Sequence, residues 1–148
     1  MRLSTPYPEL APALFQAQLA LSNLTKTQGL HPKLLDLIDL RVSQLNGCAF
    51  CADMHAADLA KRKESPRRLA TLVAWRDTDL FTAEERAALA WAEALTKLTE
   101  HPELDPAFEA LKAHYTEAQI VALTFRIISI NGWNRLGVGF RLDLPEEA

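Results

Sequence analysis

Helix-capping signals divide this chain into a succession of helices. Proline follows His31, Ser65 and Asp105, a placement typical of a helix with proline in its first turn. Two further segments, starting at Thr82 and Thr116, match the capping box, in which Glu or Gln follows Thr three residues later. Apolar residues between these signals recur at helical spacing, and no alternating strand pattern competes with them. The sequence predicts an all-α fold of about six to seven helices.

The length and composition indicate one helical domain spanning residues 1–148. A chain of 148 residues buries about 68–70% of its unfolded surface on folding. Hydrophobic residues make up 49% of the chain and glycines number only 5, which suits helices with buried or subunit-facing surfaces. The net charge of −3 gives no basic surface for nucleic acid or an anionic membrane. We find no signal-peptide pattern and no membrane-spanning apolar run, so we expect a cytoplasmic protein.

The two cysteines and a histidine share one helix face. Asn46-Gly47 indicates the end of a helix, so Cys48 opens the next one, with Cys51 and His55 three and seven residues further on. The helix N-terminus favours a thiolate at Cys48, and His55 lies one turn after Cys51, within reach of its sulfur. Thiol redox chemistry requires an activated sulfur, a base beside it and a second sulfur. This segment is the predicted site.

Two other interpretations of the cysteines remain open. Cys48, Cys51 and His55 could supply three zinc ligands, although the chain has no second cysteine pair and three ligands on one helix face chelate poorly. Both thiols could instead be small hydrophobic core residues. We favour redox chemistry, because closely spaced cysteines in a cytoplasmic protein indicate chemistry or metal binding more often than a structural bridge.

An acid on the preceding helix could complete a proton relay. Asp36 lies twelve residues before Cys48, and the short connection at Asn46-Gly47 lets the two helices pack antiparallel. A carboxylate there could accept a proton from His55 and fix its tautomer. Spacing alone does not distinguish this role from that of a solvated surface acid.

The segment from Asp36 to His55 resembles the core motif of the carboxymuconolactone decarboxylase superfamily, in its AhpD-like alkylhydroperoxidase branch. That motif is an acid, eleven residues, Cys-x-x-Cys, three residues and His. The segments 74–76, 84–96 and 130–135 are also similar to compact members, so the resemblance covers roughly residues 8–141. It implies an AhpD-like all-α fold whose protomers assemble into trimers or hexamers.

The resemblance also implies a role for each site residue. Cys51 would be the peroxidatic sulfur, His55 its proton partner, Asp36 the outer acid, and Cys48 the resolving and more exposed sulfur. The implied activity is thiol-dependent reduction of alkyl hydroperoxides without a cofactor or metal, with an external dithiol of lipoyl or thioredoxin type as reductant. A redox sensor without turnover is the alternative; a decarboxylase is less favoured, because the decarboxylase members lack the paired cysteines.

This sequence departs from the family pattern at two positions. Asp36 stands where the family usually has Glu and is one methylene shorter, so we expect a water to bridge it to His55. Phe50 stands where better-studied peroxidases have His, and it cannot relay a proton, which predicts slower turnover. Glu93 and Asn131 are weaker site candidates, and Asn131-Gly132 predicts a kink or end in the last helix. The tail from Leu142 is acidic and predicted to fray.

Overall fold

The computed structural model describes residues 1–144 and contains eight α-helices within that range. Two segments of 3-10 helix, Leu72–Asp77 and Leu98–Glu100, follow α5 and α6. No strand occurs among the described residues, so the prediction of an all-α fold is confirmed. The helices are α1 (Tyr7–Leu10), α2 (Pro12–Thr25), α3 (Pro32–Asn46), α4 (Ala49–Lys61), α5 (Pro66–Thr71), α6 (Ala83–Thr96), α7 (Leu104–Lys112) and α8 (Glu117–Phe140).

Three of the five predicted capping signals form side-chain caps, at His31, Thr82 and Thr116. The Ser65 side chain makes no cap bond, and the predicted cap at Asp105 is wrong because α7 already begins at Leu104. The boxes at Thr82 and Thr116 are both formed, with each hydroxyl accepting from the backbone N–H three residues later. Gly47 has a left-handed φ of 67° and ends α3, which turns the chain directly into α4. The predicted tail from Leu142 is described only to residue 144; residues 145–148 of this tail and of the predicted domain lie outside the described part.

Of the predicted kink or end at Asn131-Gly132, the end is wrong, because α8 continues to Phe140. Gly132 serves close packing instead of termination. A Cβ at this position would lie 2.8 Å from the Gln18 side-chain nitrogen, which donates to the Ser129 carbonyl at 2.9 Å. The absence of a side chain at residue 132 therefore leaves room for the Gln18 side chain of α2 to reach α8.

Helix α3 is the centre of the fold and packs against α4, α6 and α8. Its apolar side chains Leu37, Ile38 and Val42 are completely or almost completely buried. Asp36, Asp39 and Ser43 of the same helix are buried as well. Burial is unusual for charged groups, and the two aspartates mark the side of α3 that faces the candidate site described below.

Helix α2 packs against α8, and the segment before it is attached to the end of α8. The Arg2 N–H donates to the Phe140 carbonyl at 2.8 Å, and the Tyr7 ring lies 5.5 Å from the Phe140 ring. None of the described helices is long and apolar enough to span a membrane.

Candidate active site

Cys48 and Cys51 form a disulfide at the start of α4. Cys48 is the N-cap of this helix, its Sγ accepts a hydrogen bond from the Cys51 N–H at 3.3 Å, and the two Cα atoms are 5.3 Å apart. The exposed fractions are 2% for Cys48 and 3% for Cys51. The prediction that Cys48 is the more exposed sulfur is therefore wrong for the disulfide form, since the turn at Gly47 directs Cys48 toward α8.

The disulfide lies against the backbone of α8 at Gly137. A Cβ on residue 137 would be 2.6 Å from the Cys48 Sγ and 3.2 Å from the Cys51 Sγ, so any side chain would collide with the pair. Gly137 is not among the residues predicted from the sequence. A glycine within a long helix costs up to about 1 kcal/mol relative to alanine, so its presence there indicates that close packing requires it. This is the signal that could have identified Gly137.

His55 follows Cys51 by one turn of α4 and is buried beside a carboxylate of α3. Its Nδ1 lies 3.7 Å from Asp39 Oδ2 and has no hydrogen-bond partner among the described residues. Asp39 is only 1% exposed. Asp39 is also not among the predicted site residues, although a charged residue within the apolar run of α3 is a detectable signal.

Arg126 of α8 holds Asp39 in place. Its Nε donates to Asp39 Oδ1 at 2.9 Å, and its Nη2 donates to the second carboxylate oxygen. The remaining nitrogen donates to the Ser22 carbonyl at 3.1 Å and to the Thr25 hydroxyl at 3.3 Å. Burial raises the pKa of the Asp39 carboxyl, while the positive charge of Arg126 and the nearby His55 act to lower it.

Asp36 lies near the same imidazole but has a different partner. It is 7% exposed and accepts from the Arg62 Nε at 2.5 Å, so the interpretation as a solvated surface acid is wrong. One side-chain oxygen of each of Asp36 and Asp39 and a ring nitrogen of His55 lie within 4.8 Å of one another. The structure thus brings Asp36 close to His55, and its part in a proton relay stays a prediction.

The same three groups have the types of atom that bind divalent metals, but their charges are already balanced. Each carboxylate accepts from an arginine, Asp36 from Arg62 and Asp39 from Arg126. A cation between them would have to compete with both guanidinium groups. Donors and acceptors in this arrangement are better suited to moving a proton than to holding a metal ion.

A cavity of about 400 Å³ adjoins the site. Cys51 and His55 both border it, whereas Cys48 does not. Phe50 lies on its wall, where it adds apolar surface. The other apolar and aromatic lining residues are Tyr7, Phe15, Leu19, Met54, Ile130, Trp133 and Leu142, and the charged ones are Lys26, Asp36, Asp39, Asp58 and Arg126.

The two weaker candidates lie away from this cavity. Glu93 accepts from Arg41 at 2.6 Å, from the Trp75 indole at 2.8 Å and from Arg76. Burial acts to raise the pKa of Glu93, but these hydrogen bonds outweigh it and hold the pKa below its usual value. Asn131 bonds to Thr96 and Asn46 at 3.0 Å each. These contacts indicate that both residues connect helices.

Comparisons with known proteins agree with this architecture. The model of the carboxymuconolactone decarboxylase family matches residues 12–94, which include the cysteine pair and His55. The uncharacterised protein YdfG of Bacillus subtilis is 37% identical over 132 residues, covering 89% of this chain and 90% of the relative.

Solved structures show the same fold. A protein from Agrobacterium tumefaciens, of unknown function and described as a candidate antioxidant defence protein AhpD, superimposes with a TM-score of 0.92 at 40% identity over 99% of both chains. The debrominase Bmp8 gives a TM-score of 0.83 at 19% identity, covering 93% of this chain and 74% of that one. The resemblance inferred from the motif is confirmed: the chain belongs to the carboxymuconolactone decarboxylase family, in its AhpD-like branch.

Proposed function

We propose that this protein is a thiol-dependent reductase of organic hydroperoxides. The observation that supports this function best is the position of Cys51. Its sulfur is bonded to Cys48, and Cys51 and His55 both border a largely apolar cavity. A redox-active sulfur, a base and a substrate-sized space therefore meet at one place, as peroxide reduction requires.

The proposed cycle starts from the reduced pair. His55 takes the proton of Cys51, and the thiolate attacks the terminal oxygen of the hydroperoxide. The O–O bond breaks, the leaving alkoxide takes the proton from His55 and departs as an alcohol, and Cys51 becomes a sulfenic acid. The Cys48 thiol then condenses with it, releasing water and forming the disulfide. An external dithiol returns both cysteines to thiols and is itself oxidised.

The cavity favours a substrate with an apolar body. Its volume of about 400 Å³ is within the range of small-molecule sites, and aromatic rings form much of its wall. Phe15 and Trp133 pack edge to face at 5.7 Å, and Tyr7 packs against Phe15 at 6.0 Å. An organic hydroperoxide would bury its hydrocarbon part against these rings, whereas hydrogen peroxide has none to bury.

The partners follow from the same proposal. The reductant would be a dithiol of lipoyl or thioredoxin type. We propose a single cytoplasmic domain that assembles into a homo-oligomer, a trimer or hexamer. Supporting the assembly, four large apolar side chains of α2 and α8 are exposed, which a monomer in water rarely tolerates as a group: Leu24, Val121, Phe125 and Ile128.

A turnover assay tests the function. Purified protein would be given cumene hydroperoxide or hydrogen peroxide with dihydrolipoamide or reduced thioredoxin, and peroxide loss would be followed. We expect turnover that is faster with the organic peroxide and absent in Cys51→Ser. Turnover that survives this substitution would contradict the proposal. Disulfide formation by peroxide without turnover for any donor would instead favour the redox-sensing alternative.

A further inference from the structure

We propose that Asp39, clamped by Arg126, is the carboxylate that positions His55. Asp36 instead belongs to the rim of the site through its pair with Arg62. This inference rests on the proposed thiol chemistry at Cys51 and adds a positioning residue to it. Asp39 is only 1% exposed and would act through the imidazole.

The unsatisfied nitrogen of His55 is the first observation behind this assignment. A buried ring nitrogen without a partner is costly, so such an atom normally serves a function or bonds to water. Asp39 Oδ2 is 3.7 Å from this Nδ1, slightly longer than a direct hydrogen bond. A small movement or one bridging water would connect the two atoms. Catalytic hydrogen bonds are commonly long in the absence of substrate and shorten during reaction.

The partners of the two aspartates distinguish their roles. Asp39 is held at both oxygens by one guanidinium, and this planar, two-point contact fixes the carboxylate plane beside the histidine. Asp36 is held at a single oxygen by Arg62, whose side chain is 47% exposed. A rigid, buried carboxylate orients an imidazole better than a carboxylate whose partner is half exposed to solvent.

Arg126 in turn is anchored by α2. Its third nitrogen donates to two groups of α2, the Ser22 carbonyl and the Thr25 hydroxyl. The guanidinium is therefore fixed by α2 and α3 at the same time and cannot follow a moving carboxylate. This arrangement places the charge of Asp39 in a constant position, which is what orientation of His55 requires.

The chemical consequence concerns the tautomer of His55. A carboxylate opposite Nδ1 favours the proton on that nitrogen, which leaves Nε2 free to accept the thiol proton. After transfer, the imidazolium faces a carboxylate that is desolvated and ready to stabilise it. Burial, which raises the pKa of Asp39, also makes this carboxylate a better acceptor for the Nδ1 proton.

The experiment measures the pKa of the Cys51 thiol and not peroxide turnover, so that failure of this inference is distinguishable from failure of the proposed function. In a Cys48→Ser background, alkylation of Cys51 against pH would be compared for His55→Ala, Asp36→Asn and Asp39→Asn. A double variant, Asp39→Leu with Arg126→Met, removes both buried charges together and so avoids the destabilisation caused by one unpaired buried charge. The ring ¹⁵N shifts of His55 would report its tautomer.

The sign of the change identifies positioning. Removing a negative charge near a thiol lowers the thiol pKa by electrostatics alone, whereas losing an oriented imidazole raises it. The charged groups around the site are Lys26, Asp36, Asp39, Asp58, Arg62 and Arg126.

We expect Asp39→Asn and the double variant to raise the thiol pKa by about one unit or more, a tenfold loss of thiolate. His55→Ala should raise the thiol pKa by a similar amount. Asp36→Asn should change the thiolate fraction less than about threefold. In the double variant, the Nδ1–H tautomer of His55 should be lost. A thiol pKa that falls or stays constant in the double variant would overturn the proposal. So would a larger rise in Asp36→Asn than in Asp39→Asn, or an unchanged curve in His55→Ala.

Discussion

Replacing Gly137 with alanine would place a methyl group directly against the disulfide. The added Cβ would lie 2.6 Å from the Cys48 Sγ and 3.2 Å from the Cys51 Sγ, where ordinary contacts are 3.4–4 Å. Both sulfurs are buried and bonded to each other, so neither can rotate away, and α4 and α8 would have to separate. Overpacking of this kind costs about 1–3 kcal/mol.

Gly139 provides a matched control two residues further along α8. A Cβ there meets no atom within 4 Å. Both substitutions gain helix propensity of up to about 1 kcal/mol, so the difference between them isolates the collision. We expect Gly137→Ala to unfold with a free energy about 1–3 kcal/mol lower than that of Gly139→Ala, and to melt roughly 2–12 °C lower for a chain of this size. Urea and thermal unfolding of the oxidised proteins would measure both quantities.

Gly132→Ala is a second comparison within the same helix. Its Cβ would meet only the end of the flexible Gln18 side chain, at 2.8 Å, and moving it would sacrifice one hydrogen bond to Ser129. The cost is about 1 kcal/mol, so this variant should lie between the other two. Equal stabilities of Gly137→Ala and Gly139→Ala would refute the conclusion that a glycine is required where α8 meets the disulfide.

Three further predictions concern the sulfurs, a structural acid and the cavity wall. In Cys48→Ser treated with hydroperoxide, a sulfenic-acid probe should label Cys51 by mass spectrometry; absence of that label would contradict its peroxidatic role. Glu93→Gln should lower the free energy of unfolding by about 1–3 kcal/mol at pH 7, because it leaves Arg41 and Arg76 without a counter-charge. Because the pKa of Glu93 is lowered in the folded state, the stability advantage of the unsubstituted protein over Glu93→Gln should be full above about pH 4.3 and should decline as the pH falls further. A difference in unfolding free energy that stays constant from about pH 7 to 3 in urea would argue against this. Trp133→Ala should raise KM for cumene hydroperoxide more than for hydrogen peroxide, and equal changes would rule out the aromatic wall as a substrate contact.

Local signals in the sequence were sufficient to predict most of the helices. A capping box at Thr82 or Thr116 involves residues only three apart, so its geometry does not depend on the rest of the fold. Helix α1 has four residues, too few for a periodic pattern, and Tyr7 in it packs against the distant Phe140. Gly132 resembled a helix end because the side chain that it accommodates comes from α2, more than a hundred residues away.

The site was predictable only where it lies on one helix. Cys48, Cys51 and His55 are within two turns of α4, so their spacing alone places them together. Asp36 and Asp39 are three residues apart on α3 and share a face, so the choice between them depends on how α3 is rotated against α4. That rotation is determined by packing across the whole core. Arg126, 87 residues after Asp39, could be assigned to it only from the folded chain.

In the proposed mechanism, charge balance favours ionisation of the buried Cys51 thiol. Asp36 with Arg62 and Asp39 with Arg126 are two neutral pairs, so the site has no net charge before His55 takes a proton. Transfer of the proton from Cys51 to His55 creates a thiolate and an imidazolium and leaves the net charge at zero. Forming these two buried charges costs desolvation free energy, and Asp39 beside Nδ1 offsets part of that cost from a position that is already fixed. In the proposed reaction, the paired acids and arginines therefore provide the polar surroundings that water would supply to an exposed thiol, while the cavity keeps an apolar wall for the substrate.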